Sequence, residues 1–82
     1  MAETRVALLG IVVENPDSAE KLNSVLHQYR EYIVGRMGIP YHKKGINIIS
    51  VAVDAPNDVI STLSGRIGML AGVNIKAVYA KV

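Results

Sequence analysis

The sequence predicts a two-layer α+β domain whose elements run β-α-β-β-α-β, a four-stranded antiparallel sheet carrying two helices on one face. Three observations predict it. Residues 5–13 and 46–53 are apolar at both alternating sets of positions and rich in Val and Ile, as strands buried on both faces are. Residues 16–32 and 57–70 repeat apolar side chains at helical spacing. A chain of 82 residues is long enough for one domain, 1–82, and no linker or low-complexity tract divides it.

The first strand runs from Arg5 to Val13 and is stopped by Glu14-Asn15-Pro16-Asp17. Asn15 can cap a helix, Pro16 suits a first helical position, and Asp17 and Glu20 favour its positive end. In that helix Ala19, Leu22, Val25, Leu26, Tyr29 and Ile33 form one stripe facing the core. Residues 33–41 hold two glycines, Pro40 and Arg36, and read as an irregular strand at a sheet edge, where proline costs no ladder bond. His42-Lys43-Lys44-Gly45 is a polar turn into the second strongly apolar strand. Asn57 can cap the second helix, whose stripe is Val59, Ile60, Leu63, Ile67 and Leu70, and Gly72 closes it before a last strand at 73–80. The order is a pseudo-duplicated βαβ unit, the split βαβ of the ferredoxin-like sandwich.

Composition narrows the function classes. The chain has no Cys, which excludes disulfides, thiolate metal sites and cysteine nucleophiles. The formal charge of +2 is too small to point to nucleic acid or anionic lipid. The start of the chain lacks the order of basic, apolar and small residues of a secretory signal, and no apolar run reaches membrane-spanning length. A cytoplasmic protein without a membrane partner is the expectation.

Self-association is expected as well. Two helices cover one sheet face, yet the central strands are apolar on both. Ala7, Leu9, Ile11 and Val13 point one way, and Val6, Leu8 and Val12 the other; Ile46 and Ile48 oppose Ile49, Val51 and Val53. The face formed by Val6, Leu8, Val12, Ile46 and Ile48 would be a larger apolar patch than soluble monomers expose, so a second copy is expected to cover it in a homodimer or higher oligomer. That cover would reinforce a core that hides only about 60% of the surface of so short an unfolded chain.

No metal, cofactor or catalytic set emerges. His27 lies on the polar face of the first helix and His42 in the turn, without the spacing of a metal site. Lys43-Lys44 with Arg36 nearby make a small basic patch that reads as a solvated hairpin. An RNA-binding sheet would carry aromatic residues on its central strands, and these have none. Gly65 and Gly68 are unusual inside a helix, where each costs about 1 kcal/mol against Ala. Either close packing or the approach of a ligand or partner backbone should offset that. The loop residues Glu14, Asn15 and Asp17, with Ser64, Gly65 and Gly68, are the candidate ligand or interface residues.

Val12-Val13-Glu14, Leu26-His27, Gly35-Arg36-Met37-Gly38-Ile39-Pro40, Leu63-Ser64-Gly65-Arg66-Ile67-Gly68 and Gly72-Val73-Asn74-Ile75-Lys76 occur in order across nearly the whole chain. In this the sequence resembles the iron-only hydrogenase system regulators, a family similar to ACT domains and to the C-terminal sensor domain of the nickel-responsive repressor. The resemblance implies a ferredoxin-like fold, homo-oligomerisation and a regulatory role near the hydrogenase system, with a transcriptional regulator as one form of it. It does not carry over nickel sensing, because Cys is absent and neither His is placed to match. It implies no ribbon-helix-helix DNA-binding segment either, since the first strand starts at Arg5. Asp17 after Pro16 departs from the glycine that amino-acid-binding ACT domains often place there. The expectation is a non-enzymatic, oligomeric regulatory module that senses a small-molecule effector or docks onto a regulatory partner protein. Its rivals are an assembly subunit without a ligand and a small dimeric enzyme, which would have to use Tyr29 or Tyr79.

Overall fold

Both strongly apolar runs become the centre of the sheet. A computed structural model describes residues 3–81; Met1, Ala2 and Val82, which the sequence reading includes in the domain, lie outside the described residues. Strand β1 spans Arg5–Val13, helix α1 Ala19–Gln28, β2 Ile33–Tyr41, β3 Ile46–Ala55, helix α2 Asn57–Gly68 and β4 Val73–Tyr79. The antiparallel sheet has the order β2-β3-β1-β4, a ferredoxin-like α+β arrangement. The strands diluted by Gly, Pro, Lys and Asn are its edges, where a lost ladder bond or an unpacked side chain costs least.

Register fixes which side chains meet. Leu9 pairs with Val51 and Ala77, and Ile11 with Ile49 and Ile75. Ala7, Leu9, Ile11 and Val13 of β1 and Val51, Val53 and Ala55 of β3 are buried against Leu22, Val25 and Leu26 of α1 and Ile60, Leu63 and Ile67 of α2. This single apolar layer between helices and sheet is the core. Arg66 of α2 ties the two helices together, donating to Gln28 Oε1 at 2.8 Å and standing 5.5 Å over the Tyr29 ring. Arg5 similarly lies 4.1 Å over the Tyr79 ring and donates to Asn57 Oδ1 at 3.2 Å.

Several local expectations change. The first helix is not continuous over 16–32: 3₁₀ turns at Pro16–Ser18 and Arg30–Tyr32 flank α1. Asn15 does cap the entry, accepting from the Asp17 N–H at 3.0 Å. The 3₁₀ turn places Ser18 inside, where its hydroxyl donates to the Ala71 carbonyl. Asn57 does not cap α2. Pro56, in extended conformation, is the cap residue, and Asn57 is the first helical residue with its side chain engaged by Arg5. Leu70 lies beyond the end of α2 but still packs on the core.

The loop after α2 is locked against the loop after β1. Gly72 has φ +68°, and a Cβ added there would stand 2.6 Å from Asn15 Cβ and 2.9 Å from Asn15 N. That closeness lets the Glu14 N–H donate to the Gly72 carbonyl at 2.7 Å. Only glycine meets both demands, the left-handed backbone and the missing side chain.

Candidate functional site

The six loop and helix candidates lie in two segments, the loop after β1 and the length of α2. Glu14 accepts from Asn74 Nδ2 at 3.1 Å, Asn15 packs on Gly72, and Asp17 is exposed. Ser64 and Gly65 lie further back along α2. A Cβ added at Gly65 meets nothing within 4 Å among the described residues, so close packing between them does not account for it. Gly68 would make an ordinary 3.5 Å contact with Ile75. The Ser64 hydroxyl is buried with no hydrogen-bond partner among the described residues. None of these six lines any of the three cavities described below.

The open sheet face is more extensive than the sequence reading placed it. Val6, Leu8 and Ile48 are 38–47% exposed, with Val12 and Ile46 half-buried beside them. The register adds side chains that alternation alone could not assign. Met37 pairs with Ser50, Ile39 with Ile48 and Tyr41 with Ile46, so all three stand on the open face. Val78 pairs with Leu8 and joins them. The irregularity between Ile33 and Gly35 shifts the alternation of β2 and sets this orientation. Gly10, Ser50 and Ala52 put only small groups on the face, and a shallow hollow of about 230 Å³ opens between Val6, Leu8, Ala52 and Val78.

The same shift turns Arg36, Gly38 and Pro40 toward the helices. Those positions carry no apolar side chain long enough to reach α1, and a cleft of about 280 Å³ opens between β2 and α1. Val13, Leu22 and Ile49 form apolar walls, and Asn23, Arg36 and Asn47 supply the polar ones. Arg36 Nη2 donates to Asn23 Oδ1 at 3.0 Å. Both residues also line an adjoining hollow of about 330 Å³ that includes His27 and Arg30. Arg36 does not join Lys43-Lys44. Its Cα is five strand residues from Tyr41, on the order of 17 Å, and the lysines lie in the turn beyond.

Among the described residues no group of three or more His, Asp or Glu side chains is gathered as a metal ion would need. Both Tyr29 and Tyr79 are half-buried beneath arginines rather than set beside an acid–base partner in one of the two larger cavities. Among the described residues no helix is long and apolar enough to cross a membrane.

Fold and surface together define a small ferredoxin-like domain with an uncovered apolar sheet face and a cleft under its edge strand. Residues 5–77 match the TM1266-like family, described as iron-only hydrogenase system regulators, a proposed role. The chain belongs to that family. Its structure is similar to that of the uncharacterized protein TM1266 from Thermotoga maritima, with a TM-score of 0.92 and 35% identity over 96% of this chain and 100% of that one. It is also similar to a formyltetrahydrofolate deformylase from Pseudomonas putida KT2440, with a TM-score of 0.64 and 15% identity over 89% of this chain and 28% of the deformylase. At that identity the likeness is one of fold alone. No curated protein matches the chain.

Proposed function

We propose that the chain is a non-enzymatic regulatory module of the iron-only hydrogenase system that acts as a cytoplasmic homo-oligomer, two copies packing open sheet face to open sheet face. It responds to a small-molecule effector, and a regulatory partner protein carries the signal onward without direct nucleic-acid contact by this chain. Family membership supports the regulatory role.

The observation that carries self-association is the orientation of β2. This edge strand sends Met37, Ile39 and Tyr41 to the outer face and Arg36 and Gly38 toward the helices, the reverse of what a monomer's core would select. These three residues are 41–62% exposed, and with Val6, Leu8, Ile48 and Val78 they make one apolar surface. Burying half-exposed aliphatic side chains recovers about 1 kcal/mol each. A face of this size, contributed by two copies, therefore supplies on the order of 10 kcal/mol, comparable with the about 4–15 kcal/mol that association costs. A second copy presents the same apolar surface and satisfies both faces at once.

Light scattering on the purified protein at low micromolar concentration should give at least twice the 8.8 kDa chain mass. A clean monomer under those conditions would refute self-association. A metabolite that raises the melting temperature saturably would support the sensing half.

A further inference from the structure

The cleft under β2 has a chemistry that the open face lacks. We infer that it is a binding site for a small amphipathic anion, a molecule with a short apolar body and one carboxylate or phosphate group. The inference rests on the sensing half of the proposed function and moves the effector site from the 14–17 loop and the glycine-bearing helix to the space between α1 and β2.

Three features of the cleft lead there. Its volume of about 280 Å³ is at the lower end of small-molecule pockets and equals that of on the order of nine waters at about 30 Å³ each. Its walls at Val13, Leu22 and Ile49 are apolar and belong to the rigid core or its rim, so the space is preformed. One guanidinium, that of Arg36, lines it, held by Asn23 through a single Nη2 hydrogen bond. That bond is the one polar contact of the Arg36 side chain among the described residues, which leaves its other N–H donors open to a ligand. Asn47 lines the cleft as well and offers a neutral amide. A planar cation with free paired donors beside an apolar hollow suits an oxyanion on a hydrocarbon body.

Gly38 explains why the space exists. It occupies a helix-facing position opposite Ile49, and a Cβ built there meets nothing within 4 Å among the described residues. Its backbone is not in the left-handed region, so a larger residue is sterically allowed and would project into the cleft. The site lies on the helix side of the sheet and shares Ile39 alone with the open face as described above, so sheet-to-sheet pairing of two copies leaves its helix-side mouth open.

The test is a ¹⁵N–¹H correlation titration of the full chain with hexanoate, hexyl phosphate, 1-hexanol and inorganic phosphate. Hexanoate or hexyl phosphate should move the amides of Leu22, Gly38 and Ile49 saturably, and whichever binds more tightly identifies the anionic group. Hexanol and inorganic phosphate should bind at least tenfold more weakly, because each lacks one half of the recognised chemistry. R36Q should weaken binding of the preferred anion about tenfold or more, the loss of a charge-assisted contact. G38V should abolish it with the melting temperature retained. The inference is overturned if neither amphipathic anion shifts those amides saturably, if hexanol binds as tightly as they do, or if R36Q binds unchanged. Molecular mass measured on the same samples separates this outcome from that of the sheet face. Loss of cleft binding in a dimeric protein leaves self-association standing, and binding to a monomer does the reverse.

Discussion

Replacing Gly72 by Ala should destabilise this domain more than any other single-methyl addition at its glycines. The backbone there has φ +68°, which costs an L-residue about 1–2 kcal/mol. The new Cβ would also stand 2.6 Å from Asn15 Cβ and 2.9 Å from the Asn15 nitrogen. Those are backbone-anchored atoms, so relief requires moving the 14–17 loop away from 71–72. That motion stretches the Glu14 N–H bond to the Gly72 carbonyl and the Ser18 hydroxyl bond to Ala71. Overpacking of this kind costs about 1–3 kcal/mol. The sum, about 2–5 kcal/mol, is a large part of the roughly 4–12 kcal/mol expected for a domain of this length. At about 4–8 °C per kcal/mol, the melting temperature should fall by about 8–40 °C. Circular dichroism melts at one fixed protein concentration measure it, since association would otherwise shift both curves. Gly65→Ala is the matched control: its Cβ has open space inside a helix, so the same methyl group should raise stability by about 0.5–1 kcal/mol. A Gly72→Ala melt within a few degrees of wild type would refute the reasoning about the locked loops.

Other substitutions have distinct expected signs. Arg66→Ala removes the hydrogen bond to Gln28 and the cover over Tyr29, and should cost about 1 kcal/mol in urea denaturation. Ser18→Ala loses a hydrogen bond from a buried hydroxyl and should cost about 1 kcal/mol, whereas Ser64→Ala removes a hydroxyl with no partner among the described residues and should be neutral or stabilising. Leu22→Ala, at a position with no exposure, should cost about 2–5 kcal/mol by the same assay.

Much of this architecture was legible in the sequence because the central strands are apolar at both alternating positions. That pattern placed β1 and β3 in the middle of the sheet, and the stripes of both helices were readable from Leu22, Val25, Leu26, Ile60, Leu63 and Ile67. The edge strand was not readable in the same way. Its irregularity at Ile33 and Gly35 shifts the alternation, so nothing local says that Met37, Ile39 and Tyr41 face outward or that Arg36 and Gly38 face α1. The cleft was missed for that reason: it is made by what a glycine omits. Arg36 set between two glycines in Gly35-Arg36-Met37-Gly38 is the signal that could have drawn attention to it. The glycines of α2 led the other way. A helical glycine predicts a close neighbour, and Gly65 has none among the described residues. Asn57 suits a cap by residue type, but Pro56 already supplies the extended residue before the helix.

Self-association through the open sheet face is the central claim, and Leu8→Glu tests it most directly. Leu8 is 47% exposed at the middle of that face, paired with Ala52 and Val78 and apart from the buried core. Sedimentation velocity at low micromolar concentration should find wild type as a dimer or larger and the Leu8→Glu variant as a monomer with an unchanged circular dichroism spectrum. A variant that sediments like the oligomeric wild type, or a wild type that is itself monomeric, would contradict it.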